Sequence, residues 1–489
     1  MPIDVTTRQG APEDTAADTR VVPFFEGDSL DESLQALVDS GEAKPKLKRV
    51  AVAHEDGGRR VLIAGLGKRD ELDGEKARVA ASAVAGRAKE LGTKALSWEA
   101  PAGFAGPIVE GTMLKLYEFK RFKSSDDDED EEADGFTSLE VTGEGADEAE
   151  VTAASVAAAA QNAARDLQNL PANVATPEFL ANRAEEIASE HEALGLEVLG
   201  RDAIEAAGMG AFAAVAQGTH IEPKLIVLRY DGGRETDAKD SASVPNPSRP
   251  HLGYVGKAVT FDTGGISLKP GAKMNEMKFD MSGGAAVLES MNAIATLGLA
   301  VKITAVIPAT ENMPSGHAMK PGDIVTAGNG KTIEINNTDA EGRLILADAL
   351  HYAIEDGAER IVNLATLTGA IIVALGSTYA GLFSNDDDWF AEVDAACSET
   401  GEIGWRLPLH PEYEEIVKGT YADLDNAPEG RKASSITAAE FLKAFVGDTP
   451  WVHVDIAGTA WGLGRPYVGK GASGFGVRFL IELARRTAA

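Results

Sequence analysis

The stretch Leu252-Gly-Tyr-Val-Gly-Lys-Ala-Val-Thr-Phe-Asp-Thr-Gly-Gly265 decides how this chain folds. Its mostly apolar run from Leu252 to Phe261 ends at a polar, glycine-rich turn, the pattern of a strand covered on both faces. A helix follows over Ser282–Leu297, with Val287, Met291 and Ile294 on one face. The alternation continues on both sides. Strands are expected at Leu225–Tyr230, Ala300–Pro308, Thr332–Asn336, Arg360–Leu364 and Trp451–Ile456. Leu346, Ala349, Leu350 and Ala353 form the i, i+3, i+4, i+7 stripe of a second helix, which Gly357 stops. Strand alternating with helix predicts an α/β fold with a mostly parallel, helix-flanked sheet.

Working outward, the first part of the chain reads as a smaller α/β domain over 1–150. Val50–Ala53 and Arg60–Ala64 are expected strands joined at Gly57-Gly58, followed by Gly65-Leu-Gly-Lys68 and a helical stretch to about Leu91. A dinucleotide loop requires a third glycine where Asp70 stands, so a phosphate cradle is excluded there. Ser124–Gly135 is an acidic run too charged to pack, and Ser241–Pro250 is a surface loop. The alanine-rich Ala153–Leu170, ending before Pro171, predicts a connecting helix within 151–175. Thr176-Pro177 then opens a larger domain over 176–489 with an N-cap and a first-turn proline.

At 489 residues the chain has ample length for a core. Its single cysteine, Cys397, excludes intrachain disulfides and cysteine metal knuckles. No stretch reaches the roughly 20 apolar residues of a membrane span, and the start lacks a signal-peptide core, so a cytoplasmic protein is expected.

Ligands of open α/β sheets bind beyond the carboxyl ends of the strands. Three polar clusters are expected there: Asp262-Thr-Gly-Gly265, Asn337-Thr-Asp-Ala-Glu-Gly-Arg343 and Thr366-Leu-Thr-Gly369. Singly, each residue has an ordinary reading. Asp262 and Asp339 suit turns, Asp280 and Glu341 suit helix starts, and Lys257 and Lys269 suit solvent. Together, Asp262, Asp280, Asp339 and Glu341 would repel one another in a common cleft unless cations neutralise them. Two divalent ions would do so, and an oxygen-rich set suits Mn²⁺, Mg²⁺ or Zn²⁺. His453, inside an expected strand, reads as a sheet residue bonded to a neighbour. No zinc helix, nucleophile elbow or P-loop survives inspection; Gly330-Lys-Thr332 has Val325 where the loop needs glycine.

Asn337-Thr-Asp-Ala-Glu-Gly-Arg-Leu344 resembles the signature of the leucyl (cytosol) aminopeptidase family. Val255–Pro270, Met277-Lys-Phe-Asp-Met281, Leu364–Gly369 and Pro450–Gly458 match the same family in the same order. The resemblance runs from about Asn169 to the C-terminus and is loose in the N-terminal part. It implies a di-metal exopeptidase. One metal would be held by Lys257, Asp262, Asp280 and Glu341, the other by Asp262, Asp339 and Glu341, with Lys257 binding as the neutral amine. Lys269 would stabilise the tetrahedral oxyanion, and Arg343 would hold bicarbonate as proton shuttle. Met277, Thr366, Gly369, Ala457 and Ala460 would form the pocket for an apolar first residue such as leucine or methionine. Ala460 replaces a bulkier residue of some relatives. The resemblance also implies peptide substrates and a homohexamer.

Two other readings follow from the resemblance: a DNA-binding regulator, and an aminopeptidase restricted to Cys-Gly dipeptides. Against the first stands the charge. With 77 Asp and Glu against 46 Lys and Arg, the net charge is −31, which disfavours nucleic acid and anionic membranes. Such acidity reads either as ordinary solvation or as adaptation to high internal salt, where screening relieves self-repulsion. Adaptation predicts a melting temperature that climbs from low to molar KCl; a flat response ends that reading.

Overall fold

The computed structural model describes residues 3–55, 57–124, 135–233, 249–430 and 432–488. The acidic run Ser124–Gly135 and the loop Ser241–Pro250 fall mostly outside them. The chain divides into two units: residues 1–162 with 464–469, and 163–463 with 470–489. The helix Glu148–Asn169 passes through the division.

The first unit holds a six-stranded sheet in the order Asp4–Thr7, Ser138–Thr142, Ala95–Glu99, Thr19–Phe25, Arg60–Gly67, Val50–His54. Its strands are parallel except the last, which joins Arg60–Gly67 as a hairpin. Gly65-Leu-Gly67, expected to follow a strand, is instead its end. The helix Gly74–Glu90 begins only after Asp73, whose side chain accepts from the Lys76 N–H.

The second unit is built on a nine-stranded sheet. Its centre is parallel: Trp451–Asp455, Arg360–Ala365 and His251–Gly256 lie side by side, and Lys302–Asn312 continues the parallel set. Antiparallel pairings flank the centre, Lys224–Asp231 and then Leu194–Leu199 on one side and Ala380–Ser384 on the other, beyond which Gly404–Arg406 forms the edge. The helices Ser282–Thr296 and Gly342–Glu355 are almost wholly buried, and the second ends before Gly357 as expected.

Two expectations change. The run Leu252–Phe261 is two strands, His251–Gly256 and Ala258–Asp262, interrupted at Lys257. There the Lys257 N–H donates to the Leu364 carbonyl, continuing the pairing with Arg360–Ala365, while the Lys257 carbonyl accepts from the Gly284 N–H of the helix Ser282–Thr296. The strand expected to stop at Pro308 runs on to Asn312. It pairs with the first half up to Val306↔Val255 and with the second from Ala309↔Ala258. Pro308, which has no N–H to offer, sits opposite the interruption and is paired on its other side with Leu225. A third difference is one of place: Thr332–Glu334 belongs to a separate three-stranded sheet, between Ile324–Thr326 and Leu424–Asp425.

The helix Pro177–Glu190, capped by Thr176, is tied to Ser282–Thr296 by a two-pronged ion pair. Arg183 Nε and Nη2 lie 2.8 and 3.0 Å from the carboxylate of Glu289, which is fully buried. Arg183→Ala leaves that charge uncompensated and is expected to cost about 3 kcal/mol in urea unfolding. Arg183→Met with Glu289→Leu removes both charges and should cost less; an equal or greater loss overturns this account.

Candidate metal centre

The carboxyl ends of the central strands carry the polar residues. Lys257 occupies the gap after His251–Gly256, Asp262 ends Ala258–Asp262, and Thr366 follows Arg360–Ala365. Asp280 ends a 3-10 helix, Met274–Met281, and Glu341 is the N-cap of Gly342–Glu355. Asp262, Asp280 and Glu341 are all buried, and one oxygen from each lies within 4.8 Å of the others.

Two lysines are threaded among these acids. Lys257 Nζ lies 2.8 Å from Asp280 and 2.8 Å from Glu341 Oε1, and donates to the Thr366 carbonyl at 3.1 Å. Lys269 Nζ lies 2.8 Å from Asp262 Oδ2 and also contacts Asp339 Oδ1. Gly342 admits Lys257: a Cβ there would stand 2.6 Å from the lysine Cε and Nζ. Gly264, at φ +86°, turns the chain after Asp262 where a side chain would strike Asp339.

Neutral donors orient the acids. Asp262 Oδ1 accepts from the Gly264 N–H and from Asn312 Nδ2, both at 2.8 Å. Thr366 Oγ1 donates to Asp280 Oδ1 at 2.7 Å. Thr338 bridges the two loops, donating to the Gly264 carbonyl at 2.6 Å and accepting from the Ser267 N–H at 2.7 Å. Asp280 Oδ2, Asp339 Oδ1 and Glu341 Oε1 are buried and, lysine ion pairs apart, accept no hydrogen bond from the described residues.

Burial dominates the electrostatics. It raises Asp280 well above the ordinary carboxylate range and raises Asp262, with Glu341 adding to both. Burial also carries Asp339 to about 6. The same burial works against Glu341, but Lys257 and Lys269 outweigh it and hold that carboxyl low. Both lysines resist the pull of burial because the acids favour their ammonium forms. The site is a set of anions tolerated only beside cations.

Arg343 lies at the edge of this group, buried, with its Nη1 donating to the Asn426 carbonyl at 2.6 Å and its Nε without a partner among the described residues. Burial lowers its pKa to about 10. Met277 is half-buried on the 3-10 helix, Gly369 opens the helix Gly369–Leu375, and buried Ala457 and Ala460 follow Trp451–Asp455. His453 is buried in that strand, its Nδ1 3.0 Å from Asn363 Nδ2.

Sequence reading missed the framing residues. Asn312 lay beyond the expected end of its strand, and parallel register sets it opposite Asp262. Asp455, fully buried, accepts from the N–H groups of Leu367, Thr368 and Ala457 and from Thr368 Oγ1. Its place in the Pro450–Gly458 motif was the available signal.

The profile of the cytosol aminopeptidase family's catalytic domain matches residues 162–481, and that of its N-terminal domain matches 8–126. A probable cytosol aminopeptidase of Solibacter usitatus is 45% identical over 480 residues, 96% of each chain. One of Roseiflexus castenholzii is 44% identical over 496 residues, 98% of this chain and 99% of the relative. Among solved structures, the bottromycin maturation enzyme BotP in complex with Mn is 32% identical with a TM-score of 0.85, covering 97% of this chain and all of that one. A mutant of tomato leucine aminopeptidase is 33% identical, also with a TM-score of 0.85, covering 99% and 96%. With both of its profiles matched and relatives aligned end to end, the chain belongs to the cytosol aminopeptidase family and is a metal-dependent aminopeptidase.

Proposed function

We propose that the chain releases N-terminal residues from peptides, with leucine, methionine and other apolar residues preferred, at a site built for two divalent ions, Mn²⁺ or Zn²⁺. The observation that carries this reading is the buried trio Asp262, Asp280 and Glu341, in a cluster where three carboxylate oxygens meet, among the described residues, only the ammonium groups of Lys257 and Lys269. Four acids against two lysines leave an excess of negative charge in a buried place, so the all-oxygen carboxylate set fits hard or borderline metal ions. Lys257, Asp262, Asp280 and Glu341 would hold one, and Asp262, Asp339 and Glu341 the other, Lys257 giving up its proton on ligation. The structural likeness to BotP in complex with Mn supports manganese as one occupant.

A bound pair supplies an activated water at neutral pH and a positive charge that polarises the scissile carbonyl. The chain's own groups do the rest. Lys269, kept protonated by Asp262, Glu341 and Asp339, carries positive charge to the oxyanion that develops during attack. Arg343 would hold bicarbonate, whose planar oxyanion suits the guanidinium fork, as the proton shuttle. Met277, with Thr366, Gly369, Ala457 and Ala460, would line an adaptable pocket for the first side chain. The names of the relatives support a cytoplasmic enzyme, and the family a homohexamer; no helix among the described residues is long and apolar enough to cross a membrane.

Leucine-p-nitroanilide hydrolysis is expected, abolished by chelation and restored by Mn²⁺ or Zn²⁺. Lys269→Ala should lower kcat by about a hundred- to a thousandfold, the usual effect of losing one group aimed at a developing oxyanion. Full activity in Glu341→Ala would overturn the ligand assignment. Light scattering should report six times the 51.2 kDa of one chain rather than the monomer.

A further inference from the structure

Asp339 and Glu341 sit on a short loop whose backbone must be held still for their oxygens to meet a common ion. We propose that Asn426, distant in sequence and outside every motif discussed above, is the positioning residue of that loop. Its side chain is buried and uses its full hydrogen-bonding capacity. Oδ1 accepts from the N–H groups of Asn336 at 2.8 Å and Asn337 at 3.2 Å. Nδ2 donates to the carbonyls of Asn337 at 2.8 Å and Ala340 at 3.4 Å. The backbone carbonyl of the same residue accepts from Arg343 Nη1. One residue therefore brackets the loop from 336 to 343 on both sides of Asp339 and Glu341.

Asn426 is itself anchored. Its N–H donates to the Glu334 carbonyl at 3.0 Å, extending the pairing of Leu424–Asp425 with Thr332–Glu334. Asp425 continues the clasp, Oδ2 accepting from Asn336 Nδ2 and Oδ1 from the Ala427 N–H, both at 2.8 Å. The Glu334 carboxylate accepts from the N–H groups of Tyr421 and Ala422. The small three-stranded sheet is thus the frame from which the loop is hung.

Only a carboxamide of this length fits the role. Aspartate keeps two acceptors but loses both donors and turns a charge toward two carbonyls. Serine is too short to span the loop. Groups that orient ligands are worth about ten- to a hundredfold in metal affinity or activity when removed.

The inference rests on the metal reading of the site, and the test separates the two. Mn²⁺ affinity of the metal-free full chain is measured by titration calorimetry for wild type, Asn426→Ser, Asn426→Asp and Asp423→Asn, with kcat, KM and melting temperature alongside. Asp423 bonds Thr332 at the far end of the same small sheet and does not touch the loop, so it controls for loss of the sheet alone. Both Asn426 variants should bind Mn²⁺ about ten- to a hundredfold more weakly and lose kcat at saturating metal with KM within about twofold. Asp423→Asn should lower the melting temperature and leave Mn²⁺ affinity within about twofold, as expected of a change confined to stability. Wild-type Mn²⁺ affinity in a folded Asn426 variant overturns the inference. Mn²⁺ uptake absent from the wild type overturns the metal reading and this inference with it. Should neither variant fold, hydrogen exchange on the wild type decides: the Asn336 and Asn337 amides are expected to be protected, and rapid exchange overturns the clasp.

Discussion

Mutual repulsion among buried carboxylates is the constraint on which this structure turns. Asp262, Asp280 and Glu341 bring oxygens within 4.8 Å of one another where little water can screen them. At short range and low effective dielectric, such repulsion is worth several kcal/mol, more than most single contacts in a fold contribute. It is tolerated because Lys257 and Lys269 stand between the acids, and because the surrounding sheet is too well packed to let them separate. The cost is concentrated at the site and offset by the buried core beneath it.

The backbone carries out this crowding by a local departure from regularity. A continuous strand from Leu252 to Asp262 would hold Lys257 in the ladder, pointing to one face of the sheet. At the interruption the Lys257 N–H keeps its bond to the Leu364 carbonyl of the neighbouring strand, the Lys257 carbonyl goes to the Gly284 N–H, and the side chain reaches Asp280 and Glu341. The neighbouring strand accommodates the break with Pro308, the one residue that has no N–H to leave unpaired. Two features that each weaken a sheet are thereby set opposite one another.

The parts of the fold that depend on side-chain periodicity were legible in advance. Val287, Met291 and Ile294 marked one covering helix, Leu346 through Ala353 the other, and the parallel centre followed from their alternation with strands. The acids were legible because each fell at a strand end, at a helix start or on the short loop between the two, where such sheets hold their ligands. Tertiary pairing was not. Nothing in Thr332–Asn336 distinguishes a strand of the main sheet from one in a separate three-stranded sheet, because periodicity reports burial and not partner. Asn312 was hidden by Pro308, which reads as a strand end until its partner's gap is known. Asn426 is a single polar residue in a loop, and its meaning lies wholly in what stands opposite it.

The residues that orient the acids are, with few exceptions, neutral: Asn312 on Asp262, Thr366 on Asp280, Thr338 and Ser267 between the loops, Asn426 behind them. Physical chemistry favours that choice. A further lysine or arginine would orient a carboxylate equally well, but it would also neutralise it, and a site that is already neutral holds a divalent cation weakly. Amides and hydroxyls give direction through hydrogen bonds while leaving net negative charge in place. Charge and geometry are thereby set by different residues. The acids and the two lysines govern how strongly a cation is drawn in, and the neutral frame governs where it comes to rest. A frame of this kind can be varied without altering the charge of the site, which is why its members escape a search for charged residues and emerge only from the folded chain.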